Sequence, residues 1–302
     1  MASDFEAKVR ANNDKINAQV RATNDKINAR TGRPLLRAIA VGLILGGALL
    51  VSLIVFKELY MLFAGALVAF TAYELASALR FAGRDVPRIP TIIAAVAVVP
   101  ATFYWLDEGH WWVTLAGIAV ICLWRVVELV RPSARASAKD VLLDFGAAAF
   151  IMVYIAFMAG FTVLLTAQDG GQWWTLAFLI VVVSVDTGAY SAGVAFGKHK
   201  MAPSISPKKT WEGFAGSVAA ALLAGILLSI FMLQQPWWVG VILALTMVLT
   251  ATSGDLAESL IKRDLGIKDI SSFLPGHGGF LDRVDSALLS AAAAYALFLI
   301  FA

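Results

Sequence analysis

Charge is what this sequence has least of. Only 15% of its 302 residues are charged and 60% are hydrophobic, whereas a soluble domain carries about 25% charge and about 45–50% apolar residues. With a mean hydropathy of +0.78, a soluble globule is excluded and the chain reads as an integral membrane protein. Cysteine is scarcer still. The one cysteine, Cys122, lies inside the apolar run ICLW, which leaves neither a disulfide framework nor a cysteine metal site. His277 has no second histidine near it, so a zinc centre lacks ligands. The net charge is only +3, and nucleic acid finds no strongly basic surface to bind. The opening stretch is not expected to be a signal peptide, because its charged part is too long and no small-residue cleavage site follows the first apolar run.

Polar character is concentrated at the start. Residues 1–33 contain a near repeat, NNDKINAQVRA followed by TNDKINAR, with similar residues eleven positions apart. Phe5, Val9, Ile16, Val20 and Ile27 then form a thin apolar stripe of right-handed drift. This segment is expected to be a cytoplasmic tail; attachment to a lipid surface or self-association are its alternatives.

From residue 34 to 302 the chain is expected to form one polytopic membrane domain. Apolar runs long enough to cross a bilayer, about 20 residues each, fall near 35–56, 59–79, 89–106, 111–130, 141–166, 173–195, 213–233, 236–254 and 284–302. Backbone polar groups in lipid must be paired internally, so these runs predict an all-α bundle of about nine transmembrane helices. Lysine and arginine favour the inner side. Arg80, Arg84 and Arg88 follow the second run, and Arg131, Arg135 and Lys139 the fourth. Lys198, Lys200, Lys208 and Lys209 follow the sixth; Lys262, Arg263 and Lys268 the eighth. Only Lys57 falls on the other side. The alternation predicts a multi-pass protein of the plasma (inner) membrane with a cytoplasmic N-terminus and its polar clusters on the cytoplasmic face. Gly193 and Gly197 would allow close helix packing, a homodimer contact included, but a glycine pair selects no partner by itself.

Ionisable groups within membrane spans are costly and mark function by default. Three clusters qualify: SVDTGAY with Asp186, SISPKKTWEG from Ser204 to Gly213, and the stretch from SGDLAES to DRVDS, Ser253 to Ser286. Asp255 and Glu258 are three apart on a helix, as are Asp282 and Asp285, so each pair shares a face. Two acidic faces brought together repel unless a cation lies between them, and carboxylate oxygens suit Mg²⁺. The structural alternatives are that Asp282 caps a helix start and that Glu258 pairs with Lys262. Lys208, Lys209 and Thr210 precede a helix start near Trp211, a place suited to anions. Lys262, Arg263, Lys268 and Arg283 can face the same cavity. Around His277, the glycines Gly276, Gly278 and Gly279 let backbone approach a phosphate. Asp186 can bind metal, pair with a lysine or cap a broken helix. Together these parts suit phosphoryl or nucleotidyl transfer to a lipid.

The run Ser259, Lys262 and Arg263, Lys268 and Asp269, PGHGG from Pro275 to Gly279, then Asp282, Arg283 and Asp285 resembles the signature of the phosphatidate cytidylyltransferases, also called CDP-diacylglycerol synthases. SVDTGAY with GKHK, and SPKKTWEG, resemble that family's two upstream blocks in order. Motif similarity covers residues 184–286, and the multi-span layout extends it to most of the chain beyond the tail. The resemblance implies that CTP and phosphatidate, a membrane lipid, give CDP-diacylglycerol and pyrophosphate with Mg²⁺. It also implies a second, monovalent cation. Carried onto these positions, it implies Asp255 and Asp282 as metal ligands supported by Asp285. Ser206, Pro207, Lys208, Thr210 and Glu212 would then shape the nucleotide and phosphate site. A polytopic cation transporter is the rival from another class, but its charges should line a route to the far side. A CTP-dependent polyprenol kinase would keep some nucleotide motifs, yet the HGG and DRVD block favours the cytidylyltransferase. The DG-x-x-AR pattern of CDP-alcohol phosphotransferases is absent.

Overall fold

Lipid offers the backbone no hydrogen bonds, and helices dominate accordingly. The computed structural model describes residues 35–130, 137–267, 270–271 and 279–302. The expected tail, Arg131, Arg135, Lys268, Asp269, His277 and Gly278 lie outside the described residues. In chain order come α1 (Leu35–Ile54), α2 (Lys57–Phe81), α3 (Arg88–Leu129), α4 (Ala138–Ile151), a π-helical segment (Met152–Phe157) and α5 (Met158–Ala167). Then follow α6 (Gly171–Phe196), β1 (Lys200–Ala202), β2 (Ser206–Thr210), α7 (Trp211–Phe231), α8 (Trp237–Asp264) and α9 (Leu281–Phe301). The β1–β2 pair, antiparallel with Lys200 opposite Thr210, was not expected from the sequence.

Among the described residues, seven helices are long and apolar enough to cross a membrane. The expectation of an all-α bundle of membrane-spanning helices is met, and its count of about nine is not confirmed by these seven. One difference is α1, which is not among them. The other is α3, which takes in both expected runs 89–106 and 111–130. As a straight rod its 42 residues would measure about 63 Å, twice the roughly 30 Å of hydrocarbon in a bilayer. It is not straight. Leu106 has φ 49° and ψ −131°, a Cβ on Gly109 would strike the Ala101 carbonyl, and one on Gly117 would lie 3.2 Å from Ala94 Cβ. Residues 94 and 117 meet only if the chain doubles back, so α3 is a hairpin of two antiparallel limbs. Gly109 is required at the bend because any side chain there would collide with the first limb.

Buried apolar side chains form two clusters. One joins α1 to α5 and includes Leu281 and Leu288 of α9; the other joins the end of α5 to α6, α7, α8 and α9. Consecutive helices of the second group pack closely through glycine. A Cβ on Gly188 would approach Gly216 O to 2.6 Å, one on Gly225 would approach Gly240 O to 2.5 Å, and one on Gly254 Asp285 O to 2.5 Å. This is how small residues draw helices together where lipid removes the hydrophobic driving force. Gly197 is used in the same way within the chain: its Cβ would meet Thr210 at 3.0 Å. The Gly193 and Gly197 pair thus seats α6 on the β2–α7 junction and gives the homodimer expectation no support.

Two polar contacts explain charges outside the main clusters. Lys57 Nζ donates to Gln168 O at 2.7 Å, satisfying the carbonyl end of α5. This accounts for the one cation that broke the alternation. Arg125 is buried at the end of α3, with Nε 2.9 Å from Asp144 Oδ2 and a terminal nitrogen 3.2 Å from Asp85. Asp85 N also donates to Asp144 Oδ1 at 2.8 Å, and Arg80 lies 3.1 Å from Asp85. The ends of α2, α3 and α4 are clamped together by this cluster.

Candidate active site

The last turns of α6 and α8, the β2 strand and the first turns of α7 and α9 meet at one end of the bundle. They enclose a cavity of about 480 Å³. Asp186 enters it from α6; Ser206, Lys208, Lys209 and Thr210 from β2; Asp255, Glu258 and Lys262 from α8; Asp282, Arg283 and Asp285 from α9. Most of the residues expected from the three sequence clusters are thus brought to one place.

Local chemistry sets each element. Thr210 has extended backbone, φ −130° and ψ 155°, and its Oγ1 accepts from Gly213 N at 3.1 Å, capping α7. Two residues on, Glu212 turns away from the cavity. Its carboxylate accepts from Lys198 N at 3.1 Å and His199 N at 3.2 Å and lies 2.6 Å from His199 Nδ1. Glu212 therefore ties the base of the β-hairpin to α7 and does not line the cavity, contrary to its expected place beside the nucleotide. Pro207 and Arg263 are also outside the lining: Pro207 is exposed, and Arg263 Nε donates to Ile205 O at 3.4 Å.

Lysines neutralise part of the acidic wall. Lys209 Nζ lies 2.7 Å from Asp255 Oδ2. Lys262 pairs with Glu258 and lies 2.9 Å from Asp282 Oδ1, bridging α8 to α9. Asp282 Oδ2 also accepts from Gly279 N at 2.7 Å, an amide that precedes α9, so Asp282 does not cap that helix; of the two structural alternatives only the pairing of Glu258 with Lys262 is seen. Neither contact removes these groups from the cavity. Gly279 is buried, and its N–H is committed to Asp282, so it does not face a phosphate.

The charge balance matters. Five carboxylates and four cationic side chains line the cavity, a formal excess of one negative charge that would repel a phosphate ligand. Mg²⁺ fits this donor set on two grounds. The donors are carboxylate oxygens from α8 and α9, and Oε1 of Glu258, which is 1% exposed, has no hydrogen-bond partner among the described residues. No group of three or more His, Cys, Asp or Glu side chains is arranged to hold a metal among the described residues, but Mg²⁺ takes one or two carboxylates and completes its shell with water and phosphate.

Glu74 was missed by the sequence reading. It is 2% exposed, sits in α2 and accepts from Phe280 N at 3.0 Å and Leu281 N at 2.9 Å at the start of α9. A carboxylate inside an apolar span was signal enough to find it.

In sequence, the chain matches the cytidylyltransferase family over residues 36–301. It is 38% identical over 272 residues to a phosphatidate cytidylyltransferase of Mycobacterium bovis, covering 88% of this chain and 89% of that protein. A phosphatidate cytidylyltransferase of Mycobacterium leprae is 38% identical over 280 residues, 89% of this chain and 88% of its own. One from Brucella suis is 43% identical over 151 residues, 48% of this chain and 56% of its own.

Proposed function

The chain belongs to the cytidylyltransferase family, and on that premise we propose that it transfers CMP from CTP to phosphatidate, giving CDP-diacylglycerol and pyrophosphate. The observation that carries the proposal is the cavity itself. Lysines and carboxylates from four separate segments converge at one end of an apolar bundle, where a polar nucleotide and a lipid headgroup can meet.

The phosphate monoester of phosphatidate is largely ionised near neutral pH, so its oxygen attacks the α-phosphorus of CTP without a dedicated base. One P–O bond forms there, the bond to the β-phosphate bridge breaks, and pyrophosphate leaves. The protein's task is to hold two anions in line. Asp255 and Asp282 would hold Mg²⁺, with Asp285 in support. When bound, the ion neutralises phosphate charge and polarises the reacting phosphoryl group. A second, monovalent cation would share the same carboxylate set. Lys209 and Lys262 release Asp255 and Asp282 as the nucleotide enters and turn to its phosphates. Lys208, Ser206 and Thr210 receive the triphosphate, Arg283 screens the lipid phosphate, and Asp186 completes the wall.

The same proposal places the cavity at the cytoplasmic face of the plasma membrane. With α1 and both limbs of α3 each crossing, the chain passes through the bilayer nine times, as the alternation of basic loops requires. Purified protein given CTP, phosphatidate and Mg²⁺ should form lipid-linked CMP and release pyrophosphate. Absence of both products with every divalent cation overturns the proposal.

A further inference from the structure

We infer that Glu74 is a positioning residue of the active site: from α2, it holds the first turn of α9 and so sets where Asp282 and Asp285 stand. The inference rests on the proposed transferase reading of the cavity.

A buried carboxylate within a span is expensive unless its charge is answered. Glu74 is answered by backbone dipoles. A helix start leaves N–H groups without partners and carries partial positive charge. The residue preceding α9, Phe280, supplies no side-chain cap. Glu74 fills that role from another helix, taking the N–H groups of Phe280 and Leu281 at 3.0 and 2.9 Å and the hydroxyl of Ser271. One turn earlier in α2, Phe70 stacks on Phe280 with ring centroids 4.7 Å apart and planes 10° from parallel.

The surroundings are shaped to this carboxylate. A Cβ on Gly279 would come within 2.8 Å of Glu74 Oε2 and 3.0 Å of Oε1, so a side chain at 279 would displace the carboxylate from its bonds. Three consecutive amides are thereby committed: Gly279 to Asp282, Phe280 and Leu281 to Glu74. Asp282 follows directly, and Asp285 lies one turn on. A small shift of this first turn moves both carboxylates relative to Asp255 on α8. Glycine at 279, part of the signature, makes room for a carboxylate two hundred residues away in sequence.

The test uses full-length protein in lipid nanodiscs. Glu74→Gln keeps the volume but accepts through only one of its two atoms. Per folded molecule, its kcat should fall about 10–100-fold, the usual effect of removing a partner of a metal-ligating group. Backbone hydrogen exchange should rise in the peptide from 279 to 285 while staying unchanged in α6 and α7. Asp144→Asn, altering an equally buried carboxylate, should lower the melting temperature with kcat per folded molecule within about twofold of the parent. Gly279→Ala should reproduce the Glu74→Gln defect, and the double variant should be no worse than either, since both break one interaction.

Parental kcat and unchanged exchange in Glu74→Gln overturn the inference, as does a kcat loss matched by Asp144→Asn. Should Glu74→Gln fail to fold, Gly279→Ala, which keeps the carboxylate, decides by the same two readouts. An inactive parent protein would refute the transferase reading, and the exchange measurement would still report whether Glu74 holds α9.

Discussion

The Arg125 cluster and the cavity are built from the same residue types. Around Arg125, the carboxylates Asp85 and Asp144 meet the guanidinium and a backbone N–H at 2.8 to 3.2 Å, and three helix ends are pinned by the result. Around the cavity, five carboxylates, four of which stand on α8 and α9, face four cationic side chains; Lys209 and Lys262 pair with three of the carboxylates, and Glu258 keeps one oxygen without a partner among the described residues. A saturated ionic cluster can hold structure but has nothing left to offer a ligand. An under-neutralised one is costly at rest, and that deficit is what a cation and a phosphate can fill. Partner saturation, more than burial or residue type, separates the strut from the site.

The comparison breaks most visibly at Asp282. Asp282→Asn should cut CDP-diacylglycerol formation by at least about a hundredfold, with the folded yield and circular dichroism of the parent, because Lys262 retains Glu258. Retained turnover would move Asp282 to the structural side. Arg125→Ala is the opposite probe: stranding Asp144 should cost about 3 kcal/mol or more of stability, read as a lower melting temperature, with kcat per folded molecule unchanged. A loss of kcat there would mean that the two clusters communicate. The smallest effect belongs to Lys57→Met, which removes one half-buried cation from a helix end. It should cost about 0.3–1 kcal/mol in denaturant titration and leave turnover alone.

How much was legible beforehand depended on the range of each interaction. Asp255, Lys262, Asp282 and Asp285 stand at spacings that helix geometry converts directly into shared faces, and the cavity gathers all four. Glu212 had the same local credentials, yet its direction is decided by a hydrogen bond to His199, thirteen positions back across a hairpin that no alternation announced. Glu74 acts over more than two hundred residues, and only its cost in lipid could have flagged it. Gly279 looked like a phosphate-binding glycine because spacing shows that side-chain bulk is excluded, not what occupies the space. For α3, the gap between the expected runs 89–106 and 111–130 marked an interruption, whereas the close return at Gly109 needed coordinates.

The doubling back of α3 has a consequence for biogenesis. A helical hairpin starts and ends on the same side, so it adds nothing to the parity of the chain that follows. Its limbs satisfy each other through Ala94, Ala101, Gly109 and Gly117, and the pair can enter the bilayer as a preassembled unit, late or early, without inverting any helix from α4 onward. Topogenesis of the catalytic half therefore depends on the bend at Leu106: straightened into a single crossing, α3 would invert every helix that follows.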